Sequence, residues 1–207
     1  MTATRGFFIT IEGIEGAGKS TLAEALAAKL SDAGREVVLT REPGGTSIGD
    51  SIRELLLESG DDMLDRTELL LFEAARAQHV DDLISPALKT GVVVICDRFT
   101  DSSTAYQSGA RGIDAEMVAQ LNEFATRGIR PDLTILLDLP ADVGLARQRL
   151  TDRISAEGLA FHESVRQGYL AIAEAEPGRM VVIDAGRSVE EVLGEAWAAV
   201  RARTQQS

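Results

Sequence analysis

The stretch that decides the fold is residues 7–21, which read FFITIEGIEGAGKST. The apolar run at its start predicts a β-strand, and its second half, residues 13–20, satisfies the pattern G-x-x-x-x-G-K-[ST]. Leucines then recur at i, i+4 and i+8, which predicts a helix over residues 18–33. A strand, a glycine-rich turn and a helix in this order predict a cradle of backbone N–H groups for a di- or triphosphate.

Each residue of this phosphate loop is a candidate for nucleotide binding. Lys19 is expected to reach the β- and γ-phosphates, and the hydroxyl of Ser20 is expected to ligate Mg²⁺. The loop predicts a nucleoside triphosphate without saying what is done with it. The predicted nucleotide-binding residues are Gly13, Ile14, Glu15, Gly16, Ala17, Gly18, Lys19, Ser20 and Thr21.

Short apolar runs separated by helical patterns continue along the chain. Because these runs are apolar at nearly every position, they are typical of parallel strands covered by helices on both faces. The sequence predicts a three-layer α/β/α sandwich with five parallel strands at Phe7–Ile11, Val37–Thr40, Val92–Cys96, Leu133–Leu137 and Met180–Ile183. Further helices are predicted over residues 66–88, where Pro86 should kink or end the helix, and over residues 142–150 and 190–203.

Length and charge exclude several classes of protein. The 207 residues show no internal boundary and predict a single domain over residues 1–207, and the net charge of −12 disfavours nucleic acid as a partner. No apolar run reaches the roughly 18 residues of a membrane span, so no membrane association is expected. The single Cys96 cannot form an internal disulfide bond, and we expect a cytoplasmic location.

Arginines follow the predicted strands on the edge of the sheet where ligands bind. Arg41 follows the second strand, Asp97 and Arg98 follow the third, and Arg111 lies in the next loop. Guanidinium groups bind phosphate through paired hydrogen bonds, so these arginines predict a second anion site for a phosphate acceptor.

Phe72 and Arg76 stand at i and i+4 on one face of the predicted helix over residues 66–88. An aromatic ring and a guanidinium group in this arrangement can hold the same nucleotide base. The spacing alone favours Phe72 as a core residue over a base-stacking one.

Taken in order, the blocks at residues 13–21, 41–46, 72–76, 97–98 and 130–133 resemble bacterial thymidylate kinase from end to end. The resemblance implies a P-loop kinase that transfers the γ-phosphoryl group of ATP to dTMP, giving dTDP and ADP for dTTP biosynthesis. It also implies Mg²⁺, a homodimer, and a small helical lid at about residues 147–158.

The same resemblance implies a role for individual residues. Phe72 stacks on thymine and Arg76 hydrogen-bonds the base, Arg41 and Arg98 hold the dTMP phosphate, and Tyr106 lies against the deoxyribose. Glu15 lies near the acceptor sugar and the metal, which makes it a metal ligand beside Ser20. Either Ser102 or Ser103 contacts the base edge, with Thr104 as a further alternative. Pro43 and Arg111 complete the implied acceptor site.

Members of this family carry a transition-state arginine in the phosphate loop or in the lid. The interior of this loop has no basic residue, so the lid is expected to supply the arginine from Arg147, Arg149 or Arg153. The sequence Asp152-Arg153-Ile154 matches the family and makes Arg153 the first choice. The implied catalytic residues are Lys19, Asp97, Arg98 and Arg153.

Two other classes of function remain open on the sequence alone. A kinase for dUMP, dCMP or a deoxynucleoside would share the same chemistry, and a regulatory protein could bind ATP without turnover. A GTP-gated switch is disfavoured, because the chain contains no Asn-Lys-x-Asp guanine motif.

Overall fold

A computed structural model describes residues 5–58, 63–148 and 152–204. Five strands form one sheet in the spatial order β2-β3-β1-β4-β5, and every pair is parallel. The strands are β1 (Phe8–Glu12), β2 (Val37–Arg41), β3 (Val93–Asp97), β4 (Leu133–Asp138) and β5 (Met180–Asp184). The predicted five-stranded parallel sheet is therefore confirmed.

The three central strands, β1, β3 and β4, form because their side chains are buried on both faces, whereas the edge strands β2 and β5 are partly exposed. Phe8, Ile9 and Ile11 of β1 are completely buried, and Ile9 is paired with Ile95 on one side and Leu133 on the other. Parallel strands covered by helices on both faces need apolar residues at successive positions, which explains the continuous apolar runs.

Helices cover both faces of this sheet and complete the three-layer sandwich. The first and last helices contact each other and the sheet, and the helix over residues 159–175 contacts the sheet as well. The α-helices are α1 (Lys19–Asp32), α2 (Ser47–Glu58), α3 (Asp65–His79), α4 (Ser85–Lys89), α5 (Thr100–Ser103), α6 (Ala115–Thr126), α7 (Ala141–Arg147), α8 (Leu159–Ala175) and α9 (Val189–Thr204). Leu22, Leu26 and Leu30 of α1 are buried, as their spacing predicts.

The long helix predicted over residues 66–88 is continuous but changes type along its length. It runs through α3, a π-helical segment at Val80–Ile84, and α4, which ends three residues after Pro86. Proline has no backbone N–H to donate, so a regular α-helical hydrogen-bond ladder cannot run through Pro86. The wider π-helical turns lie directly before it. A second π-helical segment, Thr104–Ala110, follows α5.

The end of one predicted helix falls outside the described residues. Helix α7 ends at Arg147, so the rest of the helix predicted over 142–150 is only partly described, and Arg149 lies outside the described residues. No helix in the described part of the chain is long and apolar enough to cross a membrane.

The functional edge of the sheet lies beyond the carboxyl ends of β1, β2 and β3. Strand β1 lies between β3 and β4. The chain places β2 and β3 on one side of β1 and β4 and β5 on the other, which makes the loop after β1 a topological switch point. That loop packs directly on α7, because a Cβ added at Gly16 would lie 2.1 Å from the carbonyl oxygen of Gly144.

Candidate active site

A single pocket at this edge collects most of the residues that the sequence analysis selected. Its walls come from the phosphate loop, the end of β2, α2, α3, and the segment after β3. The predicted residues that line it are Glu15, Lys19, Ser20, Arg41, Pro43, Phe72, Asp97, Arg98, Ser102, Ser103 and Tyr106. Of the predicted arginines, Arg76, Arg111 and Arg153 do not line it, whereas Arg53 and Gln107 line it without having been predicted. The remaining predicted phosphate-loop residues, Gly13, Ile14, Gly16, Ala17, Gly18 and Thr21, lie outside this lining.

The phosphate loop has the geometry of an anion cradle. Gly13, Gly16 and Gly18 have φ values of 142°, 74° and 90°, which favour glycine and let the loop turn its N–H groups inward. Lys19 Nζ donates to the carbonyl of Ile14 at 2.7 Å, so the ammonium group lies across the loop. Burial, and then the charge of Arg98, lower the pKa of Lys19 to about 8.

The side chains next to Ser20 fit a magnesium ion. Ser20 Oγ donates to Asp97 Oδ2 at 2.6 Å, which places a hydroxyl and a carboxylate together at the end of the loop. Oxygen ligands of this kind suit Mg²⁺, which keeps several waters and substrate phosphates in its shell. Glu15, which the sequence analysis made the second ligand, turns instead to Arg98 and Tyr106. The structure therefore favours Asp97 over Glu15 as the carboxylate at the metal.

Arg98 is held in a strained backbone conformation by many contacts. Its φ of 72° lies in the left-handed region, which costs a non-glycine residue roughly 1–2 kcal/mol. Its guanidinium group donates to the carbonyl of Gly13 at 3.0 Å, to Tyr169 Oη at 3.1 Å and to Glu15 Oε1 at 2.8 Å. These contacts fix the guanidinium group beside the phosphate loop.

Glu15 is ionised at this position. Burial alone would raise its pKa, but the charge of Arg98 and contacts from His162, Lys19 and Tyr106 bring the pKa well below its usual range. Tyr106 Oη donates to both carboxylate oxygens, at 2.7 and 2.8 Å. The carboxylate thus fixes the ring of Tyr106 at the side of the pocket.

Two arginines, Arg41 and Arg53, line the same end of the pocket. Neither Arg41 nor Arg53 makes an ion pair with any of the described residues, and Arg53 Nη1 donates only to the carbonyl of Pro43, at 3.0 Å. Burial, and then the neighbouring charge of Arg41, lower the pKa of Arg53. Asp152 and Asp97 offset this effect only in part. Two neighbouring guanidinium groups without an ion pair make a site for an anion.

Arg53 belongs to a helix that the sequence analysis missed. The sequence signal for this helix was Thr46, because threonine is a favourable residue just before a helix. In the structure its hydroxyl accepts from the N–H of Gly49 at 3.0 Å and caps the start of α2. Ile52 and Leu56 follow at helical spacing. A helix starting there places Arg53 beside Arg41, which β2 presents at its last residue.

The other end of the pocket suits a planar base. Phe72 is half-buried on α3 and faces the cavity, with Ser103 and Gln107 nearby in the lining. Ser102 and Ser103 both line the pocket, whereas Thr104 does not, and its hydroxyl bonds back to the carbonyl of Thr100. The structure therefore leaves Ser102 and Ser103 as the hydroxyls that can contact a base.

Arg76 lies behind this wall and not in it. Its side chain is 1% exposed, and its Nε donates to Glu42 at 2.8 Å while its Nη1 donates to Glu73 at 2.6 Å. Nη1 also donates to the Ser103 hydroxyl at 2.9 Å. The prediction that Arg76 itself hydrogen-bonds the base is not supported by this geometry, because Ser103 stands in front of it.

Arg111 and Arg153 are also paired away from the pocket. Arg111 contacts Glu68 at 3.2 Å and Glu157 at 2.5 Å, and Arg153 contacts Glu68 at 2.6 Å. Arg111 is therefore not a free phosphate ligand, and Arg53 takes the third arginine position that the sequence analysis gave to it. Arg153 is held on α3 and does not lie at the phosphate loop.

Both histidines are buried. His79 lies between Thr40 and Glu42, with its Nε2 2.7 Å from the Thr40 hydroxyl. His162 Nδ1 lies 3.1 Å from Glu15 Oε2, but neither of its ring nitrogens has an aligned hydrogen-bond partner among the described residues. Both act in packing around the site.

The pocket can therefore hold two anionic groups and a flat ring at one end, and Ser20 and Asp97 are the side chains that would hold a magnesium ion. The phosphate loop offers one anion site, and Arg41, Arg53 and Arg98 offer another beside it. Such an arrangement brings a donor phosphate and an acceptor phosphate together, which is the main requirement of phosphoryl transfer.

Comparisons with known proteins point the same way. The family model described as thymidylate kinase matches residues 11–196. A thymidylate kinase of Synechococcus sp. (strain JA-3-3Ab) is 53% identical over 196 residues, which cover 95% of this chain and 96% of the relative. One of Pseudomonas putida (strain GB-1) is 54% identical over 191 residues, covering 90% and 91%. The crystal structure of thymidylate kinase from Ehrlichia chaffeensis matches with a TM-score of 0.79 at 36% identity, covering 95% of this chain and 99% of that one.

Proposed function

Because this chain belongs to the thymidylate kinase family, we infer that it transfers the γ-phosphoryl group of ATP to dTMP, and we propose how its residues divide that task. The enzyme is a dTMP kinase with a P-loop kinase fold, and its product dTDP leads to dTTP. ATP is its phosphate donor. The chain works as one kinase domain with a lid segment at about residues 147–158.

The acceptor dTMP lies along the pocket, with its base at Phe72 and its phosphate at the arginines. The observation that carries this assignment is that Arg41 and Arg53, beside Arg98 in the pocket lining, make no ion pair among the described residues, because a dianionic phosphate would supply that partner. Phe72 stacks on thymine, and Ser102, Ser103 and Gln107 contact its polar edge. Tyr106, fixed by Glu15, packs against the deoxyribose.

Arg76 supports the base site from behind. It donates to Ser103 and is neutralised by Glu42 and Glu73, so it fixes the hydroxyl that faces the base. Pro43 closes the phosphate end of the pocket, and its carbonyl holds Arg53 in place.

The donor ATP places its β- and γ-phosphates in the loop from Gly13 to Thr21. The backbone N–H groups of the loop and Lys19 bind these oxygens, with Lys19 leaving the carbonyl of Ile14 to do so. Ser20 and Asp97 hold Mg²⁺, which when bound neutralises charge on the phosphate oxygens. Glu15 orders Arg98 and Tyr106 rather than the metal.

Alignment and charge neutralisation carry the reaction. The acceptor oxygen belongs to a phosphate that is already ionised near neutral pH, so no strong general base is needed. Arg98 lies between the phosphate loop and the acceptor end, since it contacts the carbonyl of Gly13 and lines the pocket with Arg53. It neutralises charge as the phosphoryl group moves from one site to the other.

An arginine from the lid remains the expected source of further positive charge, because the loop interior carries none. Arg153 can serve only after leaving Glu68, and Arg147 donates to the carbonyl of Ala185 at 3.0 Å. Closure of the lid over the phosphates excludes water and limits hydrolysis of ATP.

The enzyme forms a homodimer through a surface made by α3 and α6, which contact each other within one protomer. Leu70 of α3, and Met117 and Phe124 of α6, are 57%, 49% and 83% exposed. The ion pair between Asp81 and Arg127 shows that the continuation of α3 and the end of α6 lie side by side. An apolar face of this kind is typical of an interface with a second copy. A cytoplasmic location stays a prediction from the sequence.

Identification of the products tests the proposed reaction. The protein is incubated with Mg·ATP and dTMP, and the nucleotides are separated by anion-exchange chromatography. We expect dTDP and ADP in equal amounts, and neither in the absence of dTMP. Formation of ADP without dTDP would show that water accepts the phosphoryl group and would reject the proposed positions of the acceptor.

A further inference from the structure

The carboxylate of Glu68 joins three segments of the chain. It lies in the first turn of α3, and its side chain is 2% exposed. Its Oε1 accepts from Gln107 Nε2 at 3.0 Å and from Arg111 Nε at 3.3 Å. Its Oε2 accepts from Arg111 Nη2 at 3.2 Å and contacts Arg153 Nη2 at 2.6 Å. Both oxygens of a buried charge are therefore fully engaged.

These contacts keep Glu68 ionised. Burial alone would raise its pKa, but hydrogen bonds from Gln107, Arg111 and Arg153 lower it below the ordinary value. Arg111 also binds Glu157 and lies over the ring of Phe161 at 4.5 Å. Asp65 Oδ1 lies 3.6 Å from Arg111 Nε, so the cluster contains two arginines and three carboxylates. Replacing Glu68 takes away the carboxylate that pairs with Arg153.

The cluster lies directly behind the wall of the acceptor pocket. Glu68 precedes Phe72 by one helical turn on α3, and Gln107 is itself part of the pocket lining. On the lid side, Asp152 and Ile154 flank Arg153, and both line the pocket. One carboxylate therefore links a wall of the acceptor site to the lid segment that covers it.

Arg153 makes hydrogen bonds through both its backbone and its side chain. Its backbone N–H donates to the carbonyl of Leu57 at 3.3 Å, and its Nε donates to the carbonyl of Leu56 at 3.0 Å. Leu57 lines the pocket as well. The guanidinium group therefore spans from the end of α2 to Glu68 on α3, which suits an anchor better than a group that must travel to the phosphate loop.

We propose that Glu68 is a positioning residue for the acceptor: through Arg153 it fixes residues 152–158 over the pocket, and through Gln107 it orients the wall that faces the base. Glu68 does not touch substrate. The proposal rests on the dTMP kinase function above and makes Arg153 an anchor of the lid, so the transition-state charge comes from another arginine.

Steady-state kinetics of Glu68→Gln, Arg153→Met and the double variant test this role. KM is measured separately for dTMP and ATP, and thermal melting reports folding. Glu174→Gln on the exposed side of α8 is the matched control for loss of a carboxylate. We expect each single variant to raise the KM for dTMP by about tenfold, the size of one lost hydrogen bond to a buried charge, and to leave the KM for ATP within roughly twofold. The double variant should be no worse than either single variant, because both remove the same link.

Other outcomes overturn the proposal. An Arg153→Met variant that loses turnover by roughly a thousandfold with an unchanged KM for dTMP, beside a normal Glu68→Gln, would make Arg153 the transition-state arginine. Unchanged kinetics in both variants would mean that the cluster is only structural. If Glu68→Gln fails to fold, Arg153→Met tests the contact from its more exposed side. Wild-type enzyme that makes no dTDP would reject the function itself, which is a separate result.

Discussion

Replacing Gly144 by alanine should damage ATP use although the residue touches no nucleotide. Gly144 lies in α7, where the helix packs on the phosphate loop, and a Cβ there would sit 2.5 Å from the carbonyl oxygen of Glu15 and 2.9 Å from Ile14 Cδ1. Ordinary contact begins at 3.4 Å, so loop and helix must separate by roughly 0.9 Å. A misplacement of about 1 Å in a phosphate-binding group can cost on the order of 100-fold in rate.

The assay is kcat/KM for ATP at saturating dTMP, with thermal melting measured beside it. We expect Gly144→Ala to lower kcat/KM for ATP by roughly 100-fold. Gly194→Ala is the matched control, because Gly194 lies in α9 with nothing within 4 Å of an added Cβ. The control should keep its activity and gain about 1 kcal/mol of helix stability, which raises Tm by about 2–4 °C. Wild-type ATP kinetics in Gly144→Ala would refute the idea that α7 fixes the phosphate loop.

Three further predictions address the acceptor, the buried acids and the dimer. Arg53→Met should raise the KM for dTMP by roughly 10- to 100-fold while the KM for ATP stays unchanged. The control variant Arg35→Met, at an exposed position, should change neither KM. Equal effects of Arg53→Met on both KM values would place Arg53 outside the acceptor site. Burial, aided by the charge of Asp101, raises the pKa of Glu12 from 4.5 to about 7, so the folded state holds this proton more tightly and the free energy of unfolding falls as pH rises through that window. Urea denaturation at several pH values should show a smaller fall for Glu12→Gln, whereas a slope equal to that of wild type would contradict the raised pKa. Phe124→Glu should convert the dimer to a monomer in analytical ultracentrifugation, because it places charge on the exposed apolar face of α3 and α6, and an unchanged mass would exclude that face.

The sheet could be predicted because strands that are buried on both faces have continuous apolar runs in the sequence. Each of the five strands nevertheless continues one residue beyond its apolar run, to Glu12, Arg41, Asp97, Asp138 and Asp184. Hydrogen bonding in the ladder extends to the strand end, whereas the apolar pattern stops one residue earlier, even in β1, where the final Glu12 is completely buried. The charged residue at the last position of β2 or β3 is also the one that reaches the pocket.

The phosphate loop was predictable because its function depends on local backbone geometry. The partners of the arginines were not, since residues far apart in sequence decide them. Arg111 looks like Arg98 in the sequence, yet Glu68 and Glu157 neutralise it, while Arg53 makes no ion pair within the described part of the chain. Nothing local to Arg111 shows that α3 and the lid bring two carboxylates to it.

Arg76 illustrates the same limit at the base site. Its spacing from Phe72 on one helix face was read correctly, and both residues lie on the pocket side of α3. Whether the guanidinium group of Arg76 reaches the cavity depends on Ser103, which lies between that group and the cavity. Ser103 is 27 residues further along the chain. Helical periodicity gives a direction but not what lies in front of the side chain.

Acceptor-dependent release of ADP from Mg·ATP tests the central claim most directly. The acceptors dTMP, dUMP, dCMP, AMP and GMP are supplied in turn at equal concentration. A pocket with Phe72 at the base end and Arg41, Arg53 and Arg98 at the phosphate end predicts strong stimulation by dTMP alone. Preference for another acceptor would contradict the proposed base site, and no stimulation by any of them would contradict the phosphoryl transfer itself.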